Sequence, residues 1–308
     1  MTTNAIQSSH IYSTYFAPRG RSRIYTLGMQ IAQLYLSPFD QIIGFIGEAG
    51  SGKSVLIKGM FPGIELTNDD DGVNVRPLPL LEQEYETGFF TPHTYHLDIR
   101  FETGFHQLSE LADAVRLAVR RGKRIIIEHF DLIYPLLGVN ANLLIGVGEQ
   151  IVITRPNLFG PLPQELCDIV YPSLAYRLMA HSAEDLCEYA MTQEQMLACS
   201  HGDIRHGFVL EFNEHQPDID IPTLEARVNE LIRQDLPIDY YDESHILLGG
   251  AQHYCTGPRT HVRSTGRIIG FRLLDHFIYD HFHKTYMLVG CVGDDSEENI
   301  RKLEKIHG

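Results

Sequence analysis

Residues 41–58, QIIGFIGEAGSGKSVLIK, narrow the fold more than any other stretch of the chain. Ile42, Ile43, Phe45 and Ile46 form an apolar run of strand length, Gly47-x4-Gly52-Lys53-Ser54 follows at once, and a helix begins directly after it. Gly47, Gly50 and Gly52 permit backbone angles closed to other residues. The amides of Gly47, Glu48, Ala49, Gly50, Ser51, Gly52, Lys53, Ser54 and Val55 are therefore able to turn inward around phosphate oxygens at a helix N-terminus. Lys53 is then placed to reach the β- and γ-phosphates of a nucleoside triphosphate, and the Ser54 hydroxyl to ligate Mg2+.

A chain of 308 residues has room for two domains, each large enough to bury a core. The formal charge of -15 argues against coating nucleic acid through the overall field, so local basic patches must carry any polyanion contact. Cys167, Cys187, Cys199, Cys255 and Cys291 contain no CxxC pair and are odd in number, which fits a reducing cytosol better than a disulfide framework. The N-terminal MTTNAIQSSH has no basic or apolar leader region, and no uncharged apolar run spans a bilayer. The expectation is a cytoplasmic protein with no membrane partner.

Before the glycine-rich loop, Pro18-Arg19-Gly20 reads as a turn and residues 22–36 as a helix. Arg19, Arg21 and Arg23 form a cationic knot, read either as a solvated face or as a phosphate or tRNA contact. After the loop helix, residues 64–66 read as a short strand running into Asp69, Asp70 and Asp71, which are either Mg2+ or base candidates or an Asx-rich turn. Residues 73–92, with Pro77, Pro79, Gly88 and Pro92, read as an exposed excursion. TYHLDIR (94–100) is a strand containing Asp98, and residues 108–121 are an amphipathic helix capped by Gly122. Residues 124–128, RIIIE, form an apolar strand ending in Glu128, the form expected of a strand that presents a carboxylate to Mg2+ or its water. QIVIT (150–154) is a further strand. Strands alternating with helices predict a parallel sheet covered on both faces, with the first domain at 1–171 and a second at 172–308.

The second domain has a different texture, with 22 acidic residues against 12 basic and most of the histidines. Residues 176–197 are helical in pattern, 207–212 alternate as a strand, 223–234 form a helix, and 268–274 and 286–291 read as closing strands before a charged terminal helix. Arg259, Arg263, Arg267 and Arg272 lie in a stretch, 255–274, that has no acid. They form either a positive strip suited to a phosphate backbone or a set of arginines paired with nearby carboxylates.

Three blocks of this domain, HSAED (181–185), HGFVLEF (206–212) and CTGPRTHVRSTGRI (255–268), resemble in order the HSAxH helix, DGFYYDF strand and CGGTHVxxTGEI turn of the editing domain of threonyl- and alanyl-tRNA synthetases and free-standing trans-editing proteins. The resemblance covers roughly residues 175–290. It implies an α+β domain that holds tRNA or an aminoacyl ester, with possible deacylase chemistry. It also implies a candidate zinc set of His181, Asp185, Cys255 and His261. Two departures stand out: Asp185 replaces the family's second histidine, and two extra residues separate Cys255 from His261. The alternatives are therefore a retained metal, since Asp is an acceptable zinc ligand, and a relic pocket without one.

The first domain resembles P-loop NTPases. TYHLD, a helix and IIIEHF are similar to the small ATPase of the tRNA threonylcarbamoyladenosine pathway, which implies ATP and Mg2+ as cofactors, with roles for Lys53, Ser54, Asp98 and Glu128. The same features are similar to uridine-kinase-type proteins, although Arg155 and Arg177 are the only arginines between Arg124 and Arg205 and no arginine-rich lid is visible. The leading expectation is an α/β P-loop NTPase, a hydrolase or phosphotransferase, coupled to an editing-like domain. The alternatives are a small-molecule kinase and a non-catalytic, nucleotide-switched binding module.

Overall fold

The structure, a computed structural model, describes residues 12–64, 66, 94–156, 158, 160–213 and 215–307. It divides into two units, one of Met1–Ala17 with Arg21–Pro172 and one of Pro18–Gly20 with Ser173–Gly308. The first unit contains β1 (Tyr12–Phe16), α1 (Arg21–Tyr35), β2 (Ile42–Ile46), α2 (Lys53–Met60), β3 (Thr94–Asp98), the single turn α3 (Ile99–Glu102), α4 (Leu108–Arg120), β4 (Arg124–Glu128), α5 (Phe130–Leu137), β5 (Leu143–Val147) and β6 (Gln150–Thr154). It ends within α6 (Pro163–Ala190), at Pro172.

The strands form one mixed sheet in the order β1-β6-β5-β2-β4-β3. All of β2 is buried, and its alternation assigns its side chains to two layers. Ile42 and Ile46 pack with Leu111 and Val115 of α4 and with Phe130 and Ile133 of α5. Ile43 and Phe45 pack with Ile24 and Ile31 of α1 and with Leu56 and Ile57 of α2. Helices α1 and α2 approach closely because Gly59 has no side chain: a Cβ there would lie 2.2 Å from the Tyr25 carbonyl oxygen.

The parallel sheet expected from sequence holds for the four strands from β5 to the β3 edge and fails at the other two. β2 pairs parallel with β4 and β5, and β3 with β4, but β6 runs antiparallel to β5 and β1 antiparallel to β6. Gly148 and Glu149 alone connect β5 to β6, and a parallel return needs a crossover of a dozen or more residues. The strand LLIGV that makes this hairpin, and the edge strand YSTYF, were not anticipated. TYHLDIR stops being a strand at Asp98, which caps α3 by accepting from the Phe101 amide. Ile64 and Leu66 are not in a strand. The Asp69–Asp71 candidates and the 73–92 excursion lie outside the described residues, apart from Ile64 and Leu66 beside them.

The second unit contains the rest of α6, then α7 (Gln193–Ala198), β7 (Cys199–Ile204), β8 (Gly207–Asn213), α8 (Ile221–Arg233), β9 (Ile238–Asp242), β10 (His245–Leu248), β11 (Ala251–Tyr254), β12 (Arg272–Leu273), β13 (Ile278–Asp280), β14 (Thr285–Cys291) and α9 (Ser296–His307). One antiparallel sheet runs β12-β14-β8-β7 with β13 also on β14, and a second runs β11-β10-β9. On β8, Phe208, Leu210 and Phe212 pack with Ala183 and Leu186 of α6 and with Leu224 and Val228 of α8, while Val209 turns to Val289 and to Ile300 of α9. The helix expected over 176–197 breaks at residues 191–192, where Thr192 and Gln195 form a capping box that starts α7. The strand expected over 268–274 shrinks to Arg272–Leu273. Among the described residues, no helix is long and apolar enough to cross a membrane.

Arg19 is buried inside this second unit rather than joining a surface knot. Its guanidinium meets Glu184 at 3.2 Å and Asp203 at 3.2 Å, and donates to the Gly202 and Gly207 carbonyls at 2.8 and 3.1 Å. Removing one member of a buried ion pair strands the other, at about 3–5 kcal/mol, whereas replacing both by apolar groups is far milder. Arg19→Met is therefore expected to destabilise the second unit by about 3–5 kcal/mol in urea denaturation, and Arg19→Met with Glu184→Met to recover more than half of the loss. Equal stability of Arg19→Met and wild type would show that the pair contributes nothing.

Candidate functional site

In the first unit the sheet brings four sequence-predicted residues to one end. The 47–54 loop follows the C-terminal end of β2, and Asp98 and Glu128 close the C-terminal ends of β3 and β4, paired opposite each other in register. Gly52, at φ 91°, supplies the left-handed residue that starts α2 with no side-chain cap. Lys53 is 5% exposed: its Nζ donates to the Gly47 and Glu48 carbonyls, both at 2.9 Å, and lies 3.6 Å from Glu128 Oε2. The Ser54 hydroxyl donates to Glu128 Oε1 at 3.2 Å. Ala49 and Gly50 are exposed at the loop tip, Ser51 is buried, and Val55 packs half-buried on the α1–α2 layer. Glu48 is engaged elsewhere, in a two-pronged pair with Arg100 at 2.8 and 3.2 Å.

Sequence reasoning missed three residues here. His96 Nε2 lies 3.1 Å from Glu128 Oε1, and the signal was available, since His96 sits two residues before Asp98 on the same strand face. His129, at a left-handed φ of 56°, forms with Asp98 and Glu128 a group whose ligand atoms lie within 4.8 Å of one another. Burial and the charges of Lys53 and Arg100 press His129 down to about 4, so it is neutral at pH 7. Burial opposes ionisation of Glu128, but the His96 hydrogen bond and the Lys53 charge outweigh it and hold the carboxyl down to about 2. The third is Glu102, 1% exposed, whose Oε1 has no hydrogen-bond partner; burial, helped by Asp98, lifts it to about 7.

In the second unit the four residues of the candidate zinc set meet. His181 and Asp185, one turn apart on α6, face Cys255 and His261 from the turn after β11. Cys255 Sγ lies 3.4 Å from His181 Nε2 and 3.7 Å from His261 Nε2, and Asp185 lies 2.9 Å from His261 Nε2 and 3.8 Å from His181 Nε2. Each imidazole spends its other nitrogen on a backbone carbonyl, His181 Nδ1 donating to Thr260 at 3.0 Å and His261 Nδ1 to Pro258 at 3.3 Å. His181 Nε2 is thereby turned toward the centre as a lone pair, whereas His261 Nε2 donates to Asp185, a proton that a metal ion would have to displace. Burial and the His261 charge keep His181 well below the usual imidazole range. Burial opposes ionisation of Asp185, yet His181 and His261 more than offset it and hold the carboxyl low. Burial and the Asp185 charge push the Cys255 thiol up, while the Gly257 amide donates to its sulfur at 3.2 Å.

The arginine strip divides. Arg272 pairs with Glu225 and Glu297, and Arg259 pairs with Glu243 and lies over the Tyr240 ring, while Arg263 and Arg267 are exposed. Arg155 and Arg177 are buried, Arg155 on Asp40 and Arg177 on the Pro18 carbonyl. A scan against protein-family models found no match, and neither did a search of the curated proteins by sequence.

The Glu102 carboxyl yields a test that needs no ligand. With its pKa raised to about 7 from the ordinary 4.5, the folded chain holds a proton between those values that the unfolded chain releases. Stability therefore falls as pH rises through that window, by on the order of 3 kcal/mol. Glu102→Gln is expected to remove Glu102's share of the slope in denaturation measured from pH 5 to 8 without magnesium, leaving the share of Glu184, which burial also lifts to about 7; an unchanged slope would contradict the assignment.

Proposed function

We propose that the chain is an ATP-binding P-loop NTPase whose second unit is an editing-type module that binds tRNA or an aminoacyl ester. The observation that carries the nucleotide half is the meeting of Lys53, Ser54 and Glu128 at the strand ends beside a glycine-shaped loop. Lys53 now holds the carbonyls of its own loop, and a triphosphate would replace them as its partner. Ser54, Glu128 and Asp98 form the hard-oxygen set that suits Mg2+, which is bound through few protein ligands plus substrate phosphates. Charge on the transferring phosphoryl group would be met by Lys53, and Glu128 would orient a water. A lid-dependent kinase is the weaker reading, because Arg155 and Arg177 are buried and committed to structural contacts.

The second half rests on the His181, Asp185, Cys255 and His261 cluster, and the donors fit zinc. Tetrahedral bonds of about 2.0–2.3 Å separate ligand atoms by roughly 3.3–3.8 Å. The sulfur lies 3.4 and 3.7 Å from the two imidazole nitrogens and Asp185 Oδ1 lies 3.8 Å from His181 Nε2, all in that range, while the hydrogen bond between Asp185 Oδ2 and His261 at 2.9 Å would open. A thiol raised by burial and by Asp185 needs a cation beside it to ionise. Held by all four side chains, zinc would be coordinatively filled and would lock the turn after β11 to α6; Lewis acidity toward an ester carbonyl would require one of the four to yield its place or the ion to expand to five ligands. The cluster's one Asp in place of a second helix histidine keeps the donor count at four.

Titration calorimetry with ATP and Mg2+ is expected to give binding in wild type and a loss of at least about tenfold in Lys53→Ala, with Ser54→Ala losing the magnesium dependence. No heat in wild type at millimolar ATP would overturn the nucleotide reading; binding without turnover would favour a switch module. Incubation with aminoacyl-tRNA is expected to release the amino acid in wild type and not in Cys255→Ala, and no release from several mischarged tRNAs would overturn the hydrolytic reading of the second unit.

A further inference from the structure

The metal-ligating chemistry of the second unit does not end at the four residues above. Helix α6 continues the row His181, Asp185 with Glu188, three residues further on the same face, and β11 continues Cys255 with His253, two residues back on the same side of the strand. Asp185, Glu188 and His253 are 5%, 6% and 7% exposed, and one ligand atom from each lies within 4.8 Å of the other two. His253 Nε2 is buried, has no hydrogen-bond partner and sits 4.0 Å from Glu188 Oε2. That gap is too long for a hydrogen bond, and two metal bonds of about 2.1 Å to a shared ion would bridge it once the pair closed by roughly 0.6 Å. A nitrogen desolvated without a partner costs about 1–3 kcal/mol, so its retention calls for something to bind.

From this juxtaposition we propose that Asp185, Glu188 and His253 hold a second divalent ion, adjacent to the first and sharing the Asp185 carboxylate with it. The proposal rests on the reading of His181, Asp185, Cys255 and His261 as a metal set. The second donor set is two oxygens and one imidazole nitrogen without sulfur, which suits zinc or manganese and leaves coordination positions open to water or to a substrate oxygen. The sulfur-bearing set is filled by four protein ligands, and the sulfur-free one has only three. Exchangeable oxygen ligands therefore belong to the new site, and an ester or phosphate oxygen is the class of group it would take. Glu188 has a further contact that competes for it. Its Oε1 accepts from His201 and is 3.7 Å from Cys199 Sγ, and those three residues form a group of their own. His201 is half-buried, whereas Asp185, Glu188 and His253 are all buried and His253 Nε2 has no hydrogen-bond partner, so the shared-carboxylate set is the one assigned.

The test is zinc counted per chain by mass spectrometry, after reconstitution of the full chain under reducing conditions and removal of loosely held ion on a chelating resin. Circular dichroism melting checks the fold of each variant. Wild type is expected to hold two equivalents. His253→Ala and Glu188→Gln are each expected to hold one and to keep the ion that Cys255 binds, and His201→Ala to hold two. With two variants for one site, failure of either to fold leaves the other. A single equivalent in wild type, kept in His253→Ala and lost in Cys255→Ala, would overturn the second site and leave the first. No bound zinc in wild type would overturn the four-residue reading and the second site with it. A drop to one in His201→Ala with two kept in His253→Ala would show that the second ion sits on Glu188, Cys199 and His201 instead.

Discussion

A buried carboxylate has to be met by other charges or hydrogen bonds, because an unpaired ion inside a protein costs several kcal/mol. Each unit of this chain is arranged around one such group. In the first, Glu128 ends an apolar strand at the sheet's interior and is met by Lys53, Ser54 and His96, each from a different segment. In the second, Asp185 is met by His261 and His181, whose rings stack on each other, with the Cys255 sulfur within 3.7 Å of both Nε2 atoms. The partners of these carboxylates are the residues on which the functional reading depends.

The two solutions differ in kind. Around Glu128 the charges balance internally: an amine at 3.6 Å and a hydroxyl and an imidazole within 3.2 Å satisfy it, and Lys53 is further tied to loop carbonyls. Such a set is closed as it stands; in the proposed reading a phosphate would replace the loop carbonyls as the partner of Lys53. Around Asp185 the donor atoms converge inward. Two imidazole Nε2 atoms, a thiol sulfur and a carboxylate point at one another, while the outward nitrogens are held by main-chain carbonyls. Without a metal these groups are joined by protons, on the Cys255 thiol and between His261 and Asp185, and a cation at the centre would replace both.

Much of this was legible in sequence where the pattern was local. The 42–46 strand with its glycine loop, the RIIIE strand ending in Glu128, and the i, i+4 spacing of His181 and Asp185 each report a geometry fixed within one or two turns of chain. What the sequence hid was long-range. The reversal of β6 depends on a two-residue connection after LLIGV, a strand not anticipated from sequence, so the sheet is mixed rather than parallel. Arg19 looks like one of three surface cations, yet its ion pair with Glu184 spans 165 positions and only tertiary structure discloses it. His96 and His253 fall between these cases: each lies two residues from a recognised site residue on the same strand face, and applying the strand period to Asp98 and Cys255 points to both.

The central claim is that the side chains around Asp185 form a metal centre that includes the Cys255 sulfur. X-ray absorption at the zinc edge, on protein loaded with one equivalent of zinc, tests it most directly. The account predicts one sulfur at about 2.3 Å among three nitrogen or oxygen ligands at about 2.0 Å, and the loss of that sulfur in Cys255→Ala. A first shell of nitrogen and oxygen alone in wild type would contradict it.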